Sequence, residues 1–271
     1  MVTWRAPTTP RQAARSEPMQ LAARFGLAAR ACVYLLIGVL AVALAAGHRR
    51  RETDQRGAMQ ELARHSGGTV LVWLIAIGLF AYALWRFAEA AFDTIGEGRK
   101  LGPRIQSFVR GLIYTFFGVS AVRVAAHAHA GSQRHQQELW TAKALQHPGG
   151  RLAVGIVGVI VVICGLVLVW EGLSHKFEKY FKLAEMTPRQ RRVVEFLGTV
   201  GGVSRGVVFA VAGVLVVVAA VKAKPSESGG LDRALRQLAD TPLGPSLLVA
   251  AGIGLILFGL YGFAEARWRR T

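Results

Sequence analysis

The sequence predicts an all-α integral membrane protein, with six transmembrane helices arranged as three tandem helical hairpins about a pseudo-threefold axis along the membrane normal. Composition is the first reason. Of 271 residues, 52% are hydrophobic, the mean hydropathy is +0.36, and the apolar residues come in blocks, which is too apolar for a typical soluble domain. The second reason is a recurring string, Arg-x-x-x-aromatic-x-x-x-Gly, which opens an apolar block as Arg30, Tyr34, Gly38, then as Arg110, Tyr114, Gly118, then as Arg205, Phe209, Gly213. The third is that every string is succeeded by a glycine and a second apolar block with a glutamate 21 positions beyond that glycine, in Gly68 and Glu89, Gly150 and Glu171, Gly244 and Glu265. Such self-similarity marks a repeated supersecondary unit. A unit of two spans returns the chain to its starting side, so all three arginines and all three glutamates are expected near one membrane face.

Residues 1–20 carry Pro7, Pro10, Pro18 and scattered arginines without hydrophobic periodicity, and read as a disordered cytoplasmic tail. Repeat one is expected over 21–93. Its spans, Gly26 to Gly47 and Thr69 to Phe92, meet the requirement of about 20 helical residues for crossing the hydrocarbon core. The first block could also be read as a secretory signal, because Ala43-Leu44-Ala45 offers a small-x-small cleavage site. A long preceding segment and the internal recurrence of the same string argue against that. The linker Asp93 to Arg104 holds Gly96, Gly98, Gly102 and Pro103 and reads as a turn. Repeat two is expected over 105–173, with Gly111 to Ala126 short and interrupted by Arg123, and Leu152 to Trp170 long and apolar.

Residues 174–197 form a basic linker in which Phe177, Tyr180, Phe181 and Ala184 recur at helical spacing between Lys176, Lys179 and Lys182. Two readings stand side by side: an amphipathic helix in the headgroup region, or the solvated end of the fourth span. Repeat three is expected over 198–268, with spans Gly206 to Val221 and Leu247 to Ala264. In the outer loops, Ala58 and Leu62, then Leu139, Trp140 and Leu145, then Leu231, Leu235 and Leu238 suggest short interfacial helices closing each hairpin. Trp85, Trp170, Tyr180 and Trp268 at one boundary and Trp73 and Trp140 at the other suit interfacial anchors.

The net charge of +17 does not indicate nucleic acid, because the basic residues are dispersed among loops and tails without a recognition module. Lys and Arg number 20 on the side of the termini against 13 on the other, so both termini are expected in the cytoplasm. Cys32 and Cys164 lie inside apolar blocks at unlike positions and imply neither a disulfide framework nor a metal site. His127, His129 and His135 cluster in one outer loop, where a solvated polar loop with a pH-sensing option fits better than a metal site.

The arginine and glutamate trios are the best candidates for chemistry. Counted at about 1.5 Å per residue from the outer helix ends, the arginines lie about 24 Å in and the glutamates about 30 Å. Arg30, Arg110, Arg205, Glu89, Glu171 and Glu265 can therefore pair as a ring, either a structural girdle or a cytoplasmic binding ring or gate, with Arg86 a local competitor for Glu89. The middle turns of all six spans are Leu, Val, Ile, Ala, Gly and Phe, with Thr115, Ser120, Tyr82 and Cys164 the polar exceptions. That argues against a hydrophilic pathway through one subunit. Metalloprotease, nucleophile-elbow, phosphate-loop and dinucleotide motifs are absent from the sequence. No catalytic residue, cofactor or metal is therefore expected.

Arg110-Gly111-Leu112-Ile113-Tyr114 with Gly118, Arg205-Gly206-Val207-Val208-Phe209 with Gly213, and Arg30-Ala31-Cys32-Val33-Tyr34 with Gly38 resemble the bacterial membrane family called domain of unknown function 1206. The resemblance spans about residues 21–268, with Ala31 for glycine and Phe209 for tyrosine as departures. It implies six spans in a bacterial plasma membrane and carries no activity. The expected function is a non-enzymatic protein that organises membrane lipids, chiefly anionic headgroups, or contacts a membrane-protein partner. The alternative is a small-solute or ion channel or transporter gated by the Arg/Glu ring. An intramembrane lipid enzyme would require His or acid groups converging on an opening to the bilayer.

Overall fold

The computed structural model describes residues 16–47, 55–92, 101–126, 139–144, 149–222 and 244–269. In chain order the helices are α1 (Glu17–Ala45), α2 (Gln55–Ala63), α3 (Gly68–Phe92), α4 (Leu101–Ala125), α5 (Gly150–Leu173), α6 (Pro188–Lys222) and α7 (Gly244–Trp268). All but the short α2 are long and apolar enough to cross a membrane. Among the described residues the sole β pairing is an isolated bridge between Phe181 and Arg269. The face on which α1 begins and α7 ends is the tail side; the opposite face, where α1 gives way to α3, is the hairpin side.

The most extensive interfaces join successive repeats: α3 with α4, α5 with α6, and α7 back onto α1. Within repeats one and three, α1 also packs on α3 and α6 on α7. Within repeat two, α4 and α5 form no such interface among the described residues. The six spans therefore make a ring that is packed at every joint except the one between α4 and α5.

Small residues set the closeness of the joints, because helices in lipid gain contact by bringing their backbones together. The recurring glycines do this between repeats. A Cβ at Gly38 would stand 2.7 Å from the Gly252 carbonyl oxygen of α7, one at Gly118 3.0 Å from the Phe80 ring of α3, and one at Gly213 2.6 Å from the Val162 nitrogen of α5. Four residues turn a helix by about 40° beyond one full turn. Along each string the arginine thus faces the bundle centre while the glycine, two steps on, faces the neighbouring repeat.

The starts of α3 and α5 share another device. Gly67 and Gly149, each just before its helix, have φ of +76° and +80°, a left-handed geometry that costs glycine nothing and other residues about 1–2 kcal/mol. Gly68 then packs against the Leu62 carbonyl, and Gly150 is buried at the head of α5.

Several expectations are corrected. Residues 17–20, expected in the tail, belong to α1, which starts with Pro18 in its first turn. Residues 101–104, expected in a turn, open α4, which continues through Arg123. The expected interfacial helix of the first outer loop is instead buried: α2 packs against α1, α3 and α4, with Ala58 and Met59 inaccessible. Its last turn lies beside Gly68 on the hairpin side while Gln55, at its start, reaches Arg30 and Tyr34. It fills the hairpin-side space among α1, α3 and α4.

The basic linker is neither an amphipathic α-helix nor the frayed end of α5. It forms two short 3-10 turns, Lys176–Tyr180 and Leu183–Glu185, and Phe181 between them is buried against Tyr261. The Lys182 amide donates to the Trp268 carbonyl at 2.9 Å, so this strap is tied to the end of α7. Thr187 and Gln190 then exchange side-chain-to-backbone hydrogen bonds at 3.3 and 2.9 Å, a capping box that starts α6 ten residues before the expected repeat boundary. Residues 139–144 are helical as the second outer loop suggested. The tail up to residue 15, His127, His129 and His135, and the Leu231, Leu235 and Leu238 segment lie outside the described residues.

Candidate functional site

A chamber of about 260 Å³ lies at the centre of the bundle in its tail-side half. Every span contributes to its wall: Arg30 and Tyr34 from α1, Tyr82 and Arg86 from α3, Gln106, Arg110 and Tyr114 from α4, Leu168 and Glu171 from α5, Arg205 and Phe209 from α6, and Phe258, Tyr261 and Glu265 from α7. Gln55 of α2 reaches it from the hairpin side, and Lys176, Phe177, Lys179 and Tyr180 of the strap line its tail-side end together with Arg269. Repetition explains the convergence. Three copies of one string around an axis place three arginines and three aromatic rings at one depth.

The six expected ring residues are treated unequally. Arg30 and Glu265 form an ion pair, both buried. The same carboxylate accepts from Arg269 at 2.5 Å, so Glu265 is held between two guanidiniums. Glu89 instead pairs with Arg86, its own-helix neighbour, at 2.5 Å and is not part of the chamber lining. Glu171 lines the chamber and, among the described residues, makes no ion pair. Arg110 and Arg205 also line it with no carboxylate partner among the described residues. The symmetric ring is therefore broken: the pair joining α7 to α1 exists, and its two counterparts do not. In repeat one Arg86 captures the glutamate that Arg110 would need.

Tyr82 organises the cationic side. Its hydroxyl accepts from Arg86 Nε at 3.0 Å, from a terminal Arg86 nitrogen at 2.7 Å, and from Arg30 at 3.4 Å. Aromatic faces take the place of counter-ions elsewhere. The Arg205 guanidinium carbon lies 4.8 Å from the Phe258 ring centre, 5.3 Å from Phe209 and 5.4 Å from Tyr34, while its Nε is buried without a hydrogen-bond partner. Cation–π contacts are worth about 0.5–2 kcal/mol each, less than a buried ion pair needs to offset desolvation. Seven cationic side chains thus surround the chamber against the carboxylates of Glu171 and Glu265. Such a site attracts an anion with oxygen acceptors, which a guanidinium fork can grip in bidentate fashion.

Tyr82, Arg269 and the strap lysines were not legible as site residues. The signal was present for two of them: Tyr82 and Arg86 are one turn apart on α3, and Arg269 is one turn beyond Glu265. The repeat glycines Gly38, Gly118 and Gly213 lie on joints between repeats, Gly68 and Gly150 at helix heads, and Gly244 is the first residue of α7.

The family described as Domain of Unknown Function (DUF1206) matches three times, over residues 25–93, 105–175 and 200–269. The chain belongs to this family. Each DUF1206 match covers one two-span repeat, so the chamber is a product of three DUF1206 units rather than of any single one. A relative, the uncharacterized protein YxxB of Bacillus subtilis (strain 168), is 33% identical over 245 residues, covering 89% of this chain and 88% of its own. No solved structure matches this DUF1206 chain.

Proposed function

We propose that this six-span membrane protein has a binding role rather than a catalytic one, and that its chamber holds the anionic headgroup of a membrane lipid, with the tail side facing the cytoplasm. The excess of guanidinium and ammonium groups over carboxylates in the lining carries this reading. A charge near the bilayer without a partner is costly, by about 2.5–3.5 kcal/mol at the centre on insertion scales and less near the boundary. Arg110 and Arg205 would recover that cost by gripping a phosphate. Glu265, the acid best placed to act as a base, is bound by Arg30 and Arg269, which favours binding over proton transfer.

Native mass spectrometry of the purified protein with phosphatidylglycerol and phosphatidylcholine tests it. Preferential retention of the anionic lipid, reduced about tenfold by Arg110→Gln with Arg205→Gln, is expected from losing two charge-assisted contacts. Equal retention of both lipids, or no change in the double variant, would overturn the proposal.

One observation favours a channel or transporter instead: the chamber takes a wall residue from all three first helices of the repeats. On that reading the Arg/Glu ring is the gate, and α2, seated above the chamber, must move for solute to pass. Anion flux in protein-containing vesicles, absent from empty ones, would establish it.

A further inference from the structure

The joint missing between α4 and α5 has a cause in the sequence. Four residues before each string arginine stand Gly26, Gln106 and Gly201, and eleven before each repeat glutamate stand Gly78, Ile160 and Gly254. In repeats one and three these glycines are where the two helices of a hairpin touch. A Cβ at Gly26 would stand 2.5 Å from the Tyr82 Cβ, and one at Gly201 2.5 Å from the Phe258 nitrogen. Gly78 likewise has no room for a Cβ beside Ala29, nor Gly254 beside Ser204. Repeat two places Gln106 and Ile160 at the same positions, so its helices cannot approach in that way. Val109 and Ile160, where the contact would be, are exposed.

Resting on the headgroup-binding reading, we infer that repeat two is a lateral entrance through which a single phospholipid passes its headgroup from the bilayer into the chamber, leaving its acyl chains in the gap between α4 and α5. Charge and polarity along the gap match that occupant. Arg110, on the α4 side, is a chamber guanidinium without a carboxylate partner among the described residues, and being at the gap it meets the phosphate first. Glu171 on the α5 side is the available acceptor, which suits a phosphodiester carrying a hydroxylated substituent, since a bare phosphate would be repelled there. Farther from the tail side both lips are apolar, with Ile113 and Phe116 on α4 and Ile163 and Val167 on α5 exposed. Chains belong against such a surface, and a headgroup does not.

The test uses the full chain in nanodiscs and two probes: phosphatidylglycerol with a photoreactive diazirine in its acyl chain, and glycerophosphoglycerol, the same headgroup without chains. Crosslinks are expected on the facing surfaces of α4 and α5. Val109→Trp with Ile160→Trp fills the gap without touching the chamber lining and is expected to weaken lipid binding at least about fivefold while changing glycerophosphoglycerol binding less than about twofold. Crosslinks scattered around the bundle, or lipid binding unchanged in the filled variant, would overturn the entrance and leave the chamber reading standing. Failure of the wild type to bind either probe would remove the headgroup reading itself, and the entrance with it. Single variants Val109→Leu, which adds one methylene at an exposed position, and Ile160→Leu, which preserves volume, should behave as wild type.

Discussion

Glu265 accepts from Arg30 across 235 positions of chain, joining the last span to the first and closing the ring of repeats on itself. Because Arg269 shares the same carboxylate, removing that charge leaves two buried guanidiniums without a counter-ion. Glu265→Gln is expected to cost about 3–5 kcal/mol. Glu89→Gln should cost less, since Arg86 keeps its bonds to Tyr82, and Glu171→Gln should leave stability nearly unchanged. Thermal unfolding of the three variants in one detergent checks the order; equal losses would mean that the symmetric ring forms after all.

Tyr82 offers one oxygen to two arginines. Tyr82→Phe keeps the ring and its cation–π faces and removes the acceptor, so about 1–3 kcal/mol of stability should be lost. Double-mutant cycles with Arg86→Met should show the two changes to be non-additive.

Glycine positions on the joints should be intolerant and others indifferent. Gly206 faces Val169 and the Gly165 carbonyl across the α5–α6 joint, whereas no atom stands within 4 Å of a Cβ at Gly102. Gly206→Val is expected to destabilise by at least about 1–3 kcal/mol from overpacking, and Gly102→Ala to be neutral, as read from melting temperatures.

Burial of α2 within the bundle predicts slow amide exchange. Hydrogen–deuterium exchange over residues 57–62 should be slower than over residues 139–144, where Trp140 is 72% exposed. Met59→Ala should cost about 2–5 kcal/mol if the cavity it leaves does not collapse.

Spans and repeats were legible because hydrophobic blocks and a spaced string are local properties of the chain. Inequality among the repeats was less so. Arg86 is visible as a competitor for Glu89, and Arg269 as a same-helix partner for Glu265, yet nothing local shows that Glu265 also binds Arg30, which it meets only after α7 docks on α1. The role of α2 is hidden because Gln55–Ala63 has the polarity of an interfacial helix, and only the room left among α1, α3 and α4 explains its burial. The strap is hard to foresee for a related reason: Phe177, Tyr180 and Phe181 follow helical spacing, but their partners are Tyr261 and the end of α7 rather than lipid. By contrast, Gln106 and Ile160 stand in plain view as departures from glycine, and their meaning emerges only from the contacts of Gly26 and Gly78.

Joining the first span to the last also orders biosynthesis. While ribosomes are still translating, α1 already carries Arg30 into the membrane, and the glutamate that neutralises it is encoded beyond the intervening spans. Nascent chains must therefore hold an uncompensated charge until the sixth span inserts, so the bundle cannot lock before synthesis is nearly complete. A chain cut short anywhere before α7 would expose that unmatched arginine to whatever surveys the membrane for unfinished proteins.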